Sequence, residues 1–363
     1  MLQERLEPKW VDAFAETFAL NGIGEGTACA VLSESQSRPV LVDLAEHGLA
    51  RRGAAAFHLR LPSPPLADAT PIRSTGTSLA LRGMRPVLRA LAECEVVVDC
   101  TVEGLLHAPE RAEILAGGTR ILMISDEHPE VLERLRPQPW LADAVARGVE
   151  MLRAAREMRV TSARGADLRI DVAEAPARGS AGISTAPGTI TYWPAGLCLC
   201  FPQAGTVAGT LVLAPGDSNL TFKRHMRETV RLRIEADRIT AIEGDGLDAE
   251  MLRDHLAAWG EPDAYAVSHV GWGMNPAARW DALTFYDRRD VNGVELRAFA
   301  GNFLFSTGAN EHAGRFPRCH FDWPLRGCDV ALDGAPVVEG GRVVWERFGA
   351  APPGGDGASG VGA

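Results

Sequence analysis

No stretch of the 363-residue sequence approaches the ~18 to 20 consecutive apolar residues needed to cross a bilayer. The opening residues, MLQERLEPKW, also lack the charged segment and apolar core of a secretory signal, so a cytoplasmic address is expected. Clustered positive charge is scarce. The net charge is −10, and the densest basic grouping is Lys223, Arg224, Arg227 and Arg231. Nucleic acids and anionic membranes both require clustered Lys and Arg, so neither is expected as a partner. The seven cysteines (Cys29, Cys94, Cys100, Cys198, Cys200, Cys319, Cys328) are odd in number and form no C-x-x-C pair. That argues against a disulfide framework or a zinc knuckle and leaves reduced, mostly buried thiols.

What is present suits two packed units. A chain of 363 residues with 46% hydrophobic composition is long enough for two cores. From about Thr27 to Val160, short β-type runs (TACAVLSE, AAAFHLRL, CEVVVDC, RILMISD) alternate with helix-type runs near Pro39 to Arg52, near Arg82 to Ala92 and after His128. This alternation predicts a parallel sheet flanked by helices, an α/β domain over 1–160. The string NGIGEG, Asn21 to Gly26, precedes the first strand instead of following it, which argues against a dinucleotide loop. After Thr161 come short β-type runs punctuated by Gly and Pro, such as DLRIDV, TITYWPAGLCLCF, GTVAGTLVLAPGD and ETVRLRIEADRITAIEG. They predict antiparallel hairpins and meanders, giving an α+β, mainly antiparallel and β-rich metal-binding domain over 161–349. One helix is expected over Leu247 to Trp259, with Asp248 and Glu250 at its positive end. The Gly-, Pro- and Ala-rich tail, 350–363, is expected to be disordered.

Near the end of the second half stand His320 and Asp322, two residues apart in RCHFDWPL. In a strand both side chains project from one face, with Phe321 on the other. About fifty residues upstream, His269 closes an apolar run in which Tyr265, Val267 and His269 would share a strand face, and it leads into the Gly-rich GWGMNP. Two imidazoles and one carboxylate can hold one metal from one side, the arrangement of non-haem Fe(II) oxygenases. On spacing alone, His-x-Asp is more often a hydrogen-bonded surface pair. His107, after CEVVVDC, falls near the carboxyl end of a parallel strand, where α/β sheets gather their sites, although a helix-capping or surface role is also open. Tyr192 and Trp193 offer aromatic walls for a flat ring, or core packing between the domains. His47, His58, His128, His225, His255 and His312 are expected to be solvated or capping. Glu311 and His312 could support or cover the site.

Over Leu105 to about Val344 the chain resembles the 2,5-dihydroxypyridine 5,6-dioxygenase family, ring-opening enzymes of bacterial nicotinate breakdown related to the aminopeptidase T class of metallopeptidases. The strings LLHAPE, GTRIL, WPAGL, AGTLVL, SHVGWGMNP, RAFAGNFLFSTG and CHFDWPLRGCDV carry the likeness. The peptidase relatives bind two metals through five residues, and those positions fall here on Leu197, His269, Leu304, His320 and Asp322. Two leucines cannot bridge metals. The resemblance therefore implies one Fe(II), held by His269, His320 and Asp322. It also implies His107 as the acid/base group, with Leu106, Ser180, Tyr192 and Trp193 at the substrate. The family carries a histidine where this chain has Tyr192, and an acidic residue where it has Ser180.

The expected protein is an Fe(II)-dependent extradiol-type dioxygenase. It would open 2,5-dihydroxypyridine to N-formylmaleamate, or cleave a related hydroxylated aromatic, with O2 as co-substrate. The family's habits suggest a homo-oligomer. The alternatives are a metal-dependent hydrolase of the aminopeptidase T type, which would need no oxygen, and a binding or structural protein that has lost its chemistry.

Overall fold

The computed structural model describes residues 5–65, 76–349 and 352. The tail expected to be disordered thus lies outside the described residues, save position 352.

The first half alternates as the hydrophobic runs suggest. Helices α1 (Pro8–Leu20), α2 (Pro39–Arg51), α3 (Arg85–Ala92), α4 (Arg111–Ala116), α5 (Pro129–Arg134) and α6 (Pro139–Ala154) accompany strands β1 (Ala28–Glu34), β2 (Ala55–Leu61), β3 (Val96–Asp99) and β4 (Arg120–Ile124). Proline sits in the first turn of α1, α2, α3, α5 and α6, where its missing N–H costs no helical hydrogen bond. β2, β1, β3 and β4 pair in parallel in that order. The sheet is covered on both faces, by a core containing Phe14, Phe18, Leu44 and Val98 and by a second containing Leu81, Leu91, Val97 and Ile121. Burial on two sides explains why the central strands read as unbroken apolar runs.

Next come β5 (Glu157–Ser162), β6 (Asp167–Asp171), β7 (Ala177–Ser180) and β8 (Ile190–Trp193). β8 pairs in parallel with β4, Ile121 against Ile190 through Ile124 against Trp193, and forms the fifth strand of the first sheet. A boundary at residue 160 is therefore crossed: the chain leaves the parallel sheet after Ile124 and rejoins it only at Ile190.

The remaining elements are β9 (Leu197–Cys200), β10 (Val207–Leu213), β11 (Ser218–Asn219), β12 (Arg224–His225), β13 (Val230–Glu235), β14 (Arg238–Glu243), α7 (Leu247–Ala258), β15 (Val267–Gly273), α8 (Val294–Ala298), β16 (Phe303–Asn310), β17 (Arg315–Leu325), β18 (Cys328–Leu332), β19 (Ala335–Glu339) and β20 (Arg342–Val343). Two antiparallel sheets result, ordered β14-β13-β10-β6-β5-β18-β19-β20 and β17-β16-β15-β9-β7, beside the short β11–β12 pair. In β6 and β13 buried and more exposed residues alternate, so the first of these sheets has one wet face. Its dry face meets Trp272, Phe303, Phe305, Phe321 and Trp323 of the second sheet in the largest core. The second sheet's other face carries the site. Among the described residues, no helix is long and apolar enough to cross a membrane.

Candidate metal centre

Period-two alternation puts Phe321 and Trp323 of β17 in the core and His320 and Asp322 on the opposite face. His269 reaches that face differently from the sequence expectation. Tyr265 lies in a 3-10 turn before β15, and Val267 belongs to the core. A register shift between Val267 and Val270 then turns His269 away from Val267, leaving Val270 and Trp272 inward. Between β15 and β17 runs β16, whose residues opposite the ligand pair are small: in the ladder Ser306 opposes Asp322, and Gly308 opposes His320. Ser306 Oγ also accepts from His269 N at 2.9 Å and donates to His269 O at 3.0 Å, fixing the shifted backbone. The ligand-type side chains of the outer strands can therefore lean together above the middle one.

They converge closely. His269 Nε2 lies 3.2 Å from His320 Nε2 and 3.5 Å from Asp322 Oδ1, and His320 Nε2 lies 3.4 Å from Asp322 Oδ2. All three residues are buried. Metal–ligand bonds of about 2.0 to 2.2 Å place neighbouring ligand atoms about 3 to 3.5 Å apart, so the spacing fits a single ion. The protonation states fit as well. Burial, followed by the neighbouring His320 and Arg297, lowers His269 to about 3 despite the opposing influence of Asp322. Burial alone would raise Asp322, but Arg297 and the two histidines hold its carboxyl well below the usual carboxylate range. Neutral imidazole beside carboxylate is what a cation requires. Asp322 Oδ1 is moreover buried with no hydrogen-bond partner, an expense that a bound cation would remove.

The parallel half supplies the opposite wall of the cavity. At the end of β3, buried Asp99 accepts from Thr101 N (2.9 Å), Thr101 Oγ1 (2.7 Å) and Leu105 N (2.8 Å), while Glu34 Oε1 accepts from Val102 N at 2.8 Å. Gly104 makes the tight turn with φ +76, and a Cβ there would meet Met123 Sδ at 2.1 Å. This braced loop delivers Leu106 and His107 to the cavity. The His107 ring centroid lies 5.4 Å from that of His320. Burial, then the two neighbouring histidines, lowers its pKa well below the ordinary value and keeps it neutral.

The cavity is small, about 70 Å³, and Met123, Tyr192, Leu197, Leu199, Leu304 and Arg297 also line it. Leu197 and Leu304, the positions where two further metal ligands would stand, thus form apolar wall beside the trio. Tyr192 points into the cavity, and Ser180 supports it without lining: Ser180 interacts with the Tyr192 phenol and lies 3.5 Å from its carbonyl oxygen. Trp193 is a correction. As the next residue on β8 it faces the other way, wholly buried in the first core, 4.8 Å from the Phe14 ring centroid and donating Nε1–H to Leu135 O at 2.9 Å. His312 lies against Phe201, which in turn lies against His269, and Glu311 pairs with Arg111 at 2.8 Å. Elsewhere His58 joins Ser33 to Glu46, and His128 caps α5.

Sequence reasoning passed over Arg297, whose Nε donates to Asp322 Oδ2 at 2.7 Å. An arginine inside the mostly apolar run LRAFAG was the available signal, since a buried cation needs an anion nearby.

Comparison with known proteins places these features in context. The family model described as 2,5-dihydroxypyridine 5,6-dioxygenase matches residues 9–345, well beyond the segment whose strings carry the resemblance. The 2,5-dihydroxypyridine 5,6-dioxygenase of Pseudomonas putida KT2440 is 38% identical over 335 residues, covering 91% of this chain and 95% of that one. The solved structure of 2,5-dihydroxypyridine dioxygenase from the same organism superposes with a TM-score of 0.87 at 38% identity, over 92% of this chain and 96% of that one. AmpT from Thermus thermophilus shares the fold, with a TM-score of 0.61 at 15% identity over 93% of this chain and 99% of that one.

Proposed function

Because the chain belongs to the 2,5-dihydroxypyridine 5,6-dioxygenase family, we propose that it is an Fe(II)-dependent extradiol-type dioxygenase that opens 2,5-dihydroxypyridine or a closely related hydroxylated ring. The observation that carries the reading is the buried convergence of His269, His320 and Asp322 at one side of a cavity whose neighbouring positions, Leu197 and Leu304, cannot ligate. The leucines favour one ion over the paired ions of a hydrolytic centre. The chemistry that Fe(II) supplies when held by the trio is electron transfer between an electron-rich ring and O2.

The chain's own residues do the rest. Leu106, Met123, Leu199 and Leu304 enclose the ring in an apolar slot and limit water around it. Neutral His107 takes the proton of the ring hydroxyl on an imidazole nitrogen, raising the electron density of the ring, and returns it when the ring has opened. Arg297 keeps Asp322 ionised throughout. With both atoms of O2 incorporated beside the hydroxylated carbon, 2,5-dihydroxypyridine becomes N-formylmaleamate. We place the protein in the cytoplasm as a homo-oligomer acting on a small aromatic molecule; its net charge of −10 supports a partner other than nucleic acid.

Anaerobic loading with Fe(II), followed by oxygen uptake on dihydroxypyridines, tests the reading. Uptake should be stoichiometric with ring loss, and Asp322→Ala should abolish both metal retention and turnover. Full activity in that variant, or equal activity under argon, would remove the assignment.

A further inference from the structure

Asp322 takes its setting from residues outside the cavity. Glu127 follows β4 in the parallel half, is 1% exposed, and accepts main-chain N–H groups from Asn292 (3.0 Å), Gly293 (2.8 Å) and Val294 (2.8 Å). These amides lead into α8, and Gly293, with φ +103, bends them toward one carboxylate. A second grip lies one residue further on. Buried Glu295 receives two guanidinium nitrogens of Arg134, from α5, and accepts from Arg279 N at 2.8 Å. Five-residue α8 is too short to hold its own shape, so these contacts determine where it sits. Two residues later Arg297 donates to Asp322 Oδ2, while Oδ1 is left without a hydrogen-bond partner, 3.5 Å from His269 Nε2.

We propose that Glu127 and Arg134 are positioning residues for the metal site: across the junction of the two halves they fix α8, so that Arg297 occupies one oxygen of Asp322 and leaves the other for the cation. Neither residue lines the cavity, and both act through Arg297. The proposal rests on reading the trio as a metal site. Its consequence is that the halves must be docked for the carboxylate to be correctly presented, and that metal affinity responds to a carboxylate from the opposite sheet.

The test is Co(II) affinity of the full chain under argon at pH 8, by chelator competition, with the Co(II) visible spectrum as a second readout. Glu127→Gln and Arg297→Lys should each weaken binding about 10- to 100-fold, with an altered spectrum. Because both act on the same oxygen, the double variant should be scarcely weaker than the worse single one. If Glu127→Gln does not fold, Arg134→Lys reads the same bracket from its other grip. Affinity within twofold of wild type in a folded bracket variant, even one with a lower Tm, would reduce the contacts to scaffolding and overturn the proposal. Fully additive losses would overturn it as well. Wild-type protein that binds no stoichiometric Co(II) would instead bring down the metal reading, and this inference with it.

Discussion

At the scale of single residues, the site divides by how far each side chain's partner lies along the chain. His320 and Asp322 were legible because strand geometry alone places them side by side. Arg297 was not, since its partner is 25 positions away and only the fold makes them neighbours. Trp193 shows the limit of the same rule: alternation sends Tyr192 and Trp193 to opposite faces of β8, and the sequence does not say which one meets the cavity. His107 yields a direct prediction. His107→Ala should keep Co(II) affinity within a few-fold of wild type while slowing turnover by roughly 10²- to 10⁴-fold, the usual contribution of a positioned acid/base group. Single-turnover oxygen consumption on protein of measured metal content checks it; loss of metal instead would move His107 into the ligand set.

Among elements, β16 matters most to the centre although it supplies none of the trio. Gly308 has φ +107, and a Cβ there would lie 2.2 Å from Cys319 O. Gly308→Ala should therefore push β17 away just where His320 projects. We expect a loss of about 1 to 3 kcal/mol in urea unfolding, together with weaker Co(II) binding. Unchanged unfolding would mean that the ladder relaxes without cost. Most elements could be drawn from hydrophobic periodicity, including α2, β1, β3, β4 and α7. The shift in β15 could not, because SHVGW reads as an uninterrupted strand until its register with Phe305 and Thr307 is known. Asp248 and Glu250 stand in the first turn of α7 as expected, and Asp248 also accepts from Arg227 N and Glu228 N, contacts that only the fold reveals.

Over the whole molecule, the buried contacts between the halves should make stability depend on pH. Burial, then the charge of Glu295, pushes Glu127 up to about 7 against three amide donors. An acid whose folded pKa exceeds its unfolded one binds its proton more tightly when folded, so it weakens the fold as pH rises from the ordinary carboxylate range to about 7. Between pH 5 and pH 8, wild-type protein should therefore lose more stability in urea unfolding than Glu127→Gln, by about 2 to 3 kcal/mol at ~1.4 kcal/mol per pH unit. Parallel curves for the two proteins would clear Glu127 of that role. The broad division into a parallel and an antiparallel half was readable from composition and turns, but the return of β8 was not, since ITYW carries no mark of the sheet it will join. That return has a consequence for biosynthesis. A nascent chain stopped at residue 160 would expose the Ile121–Ile124 flank of β4 with no neighbour to bond to, an adhesive margin open to self-association. Fragments cut at the compositional divide should precipitate, whereas those extended past Trp193 can close that margin themselves.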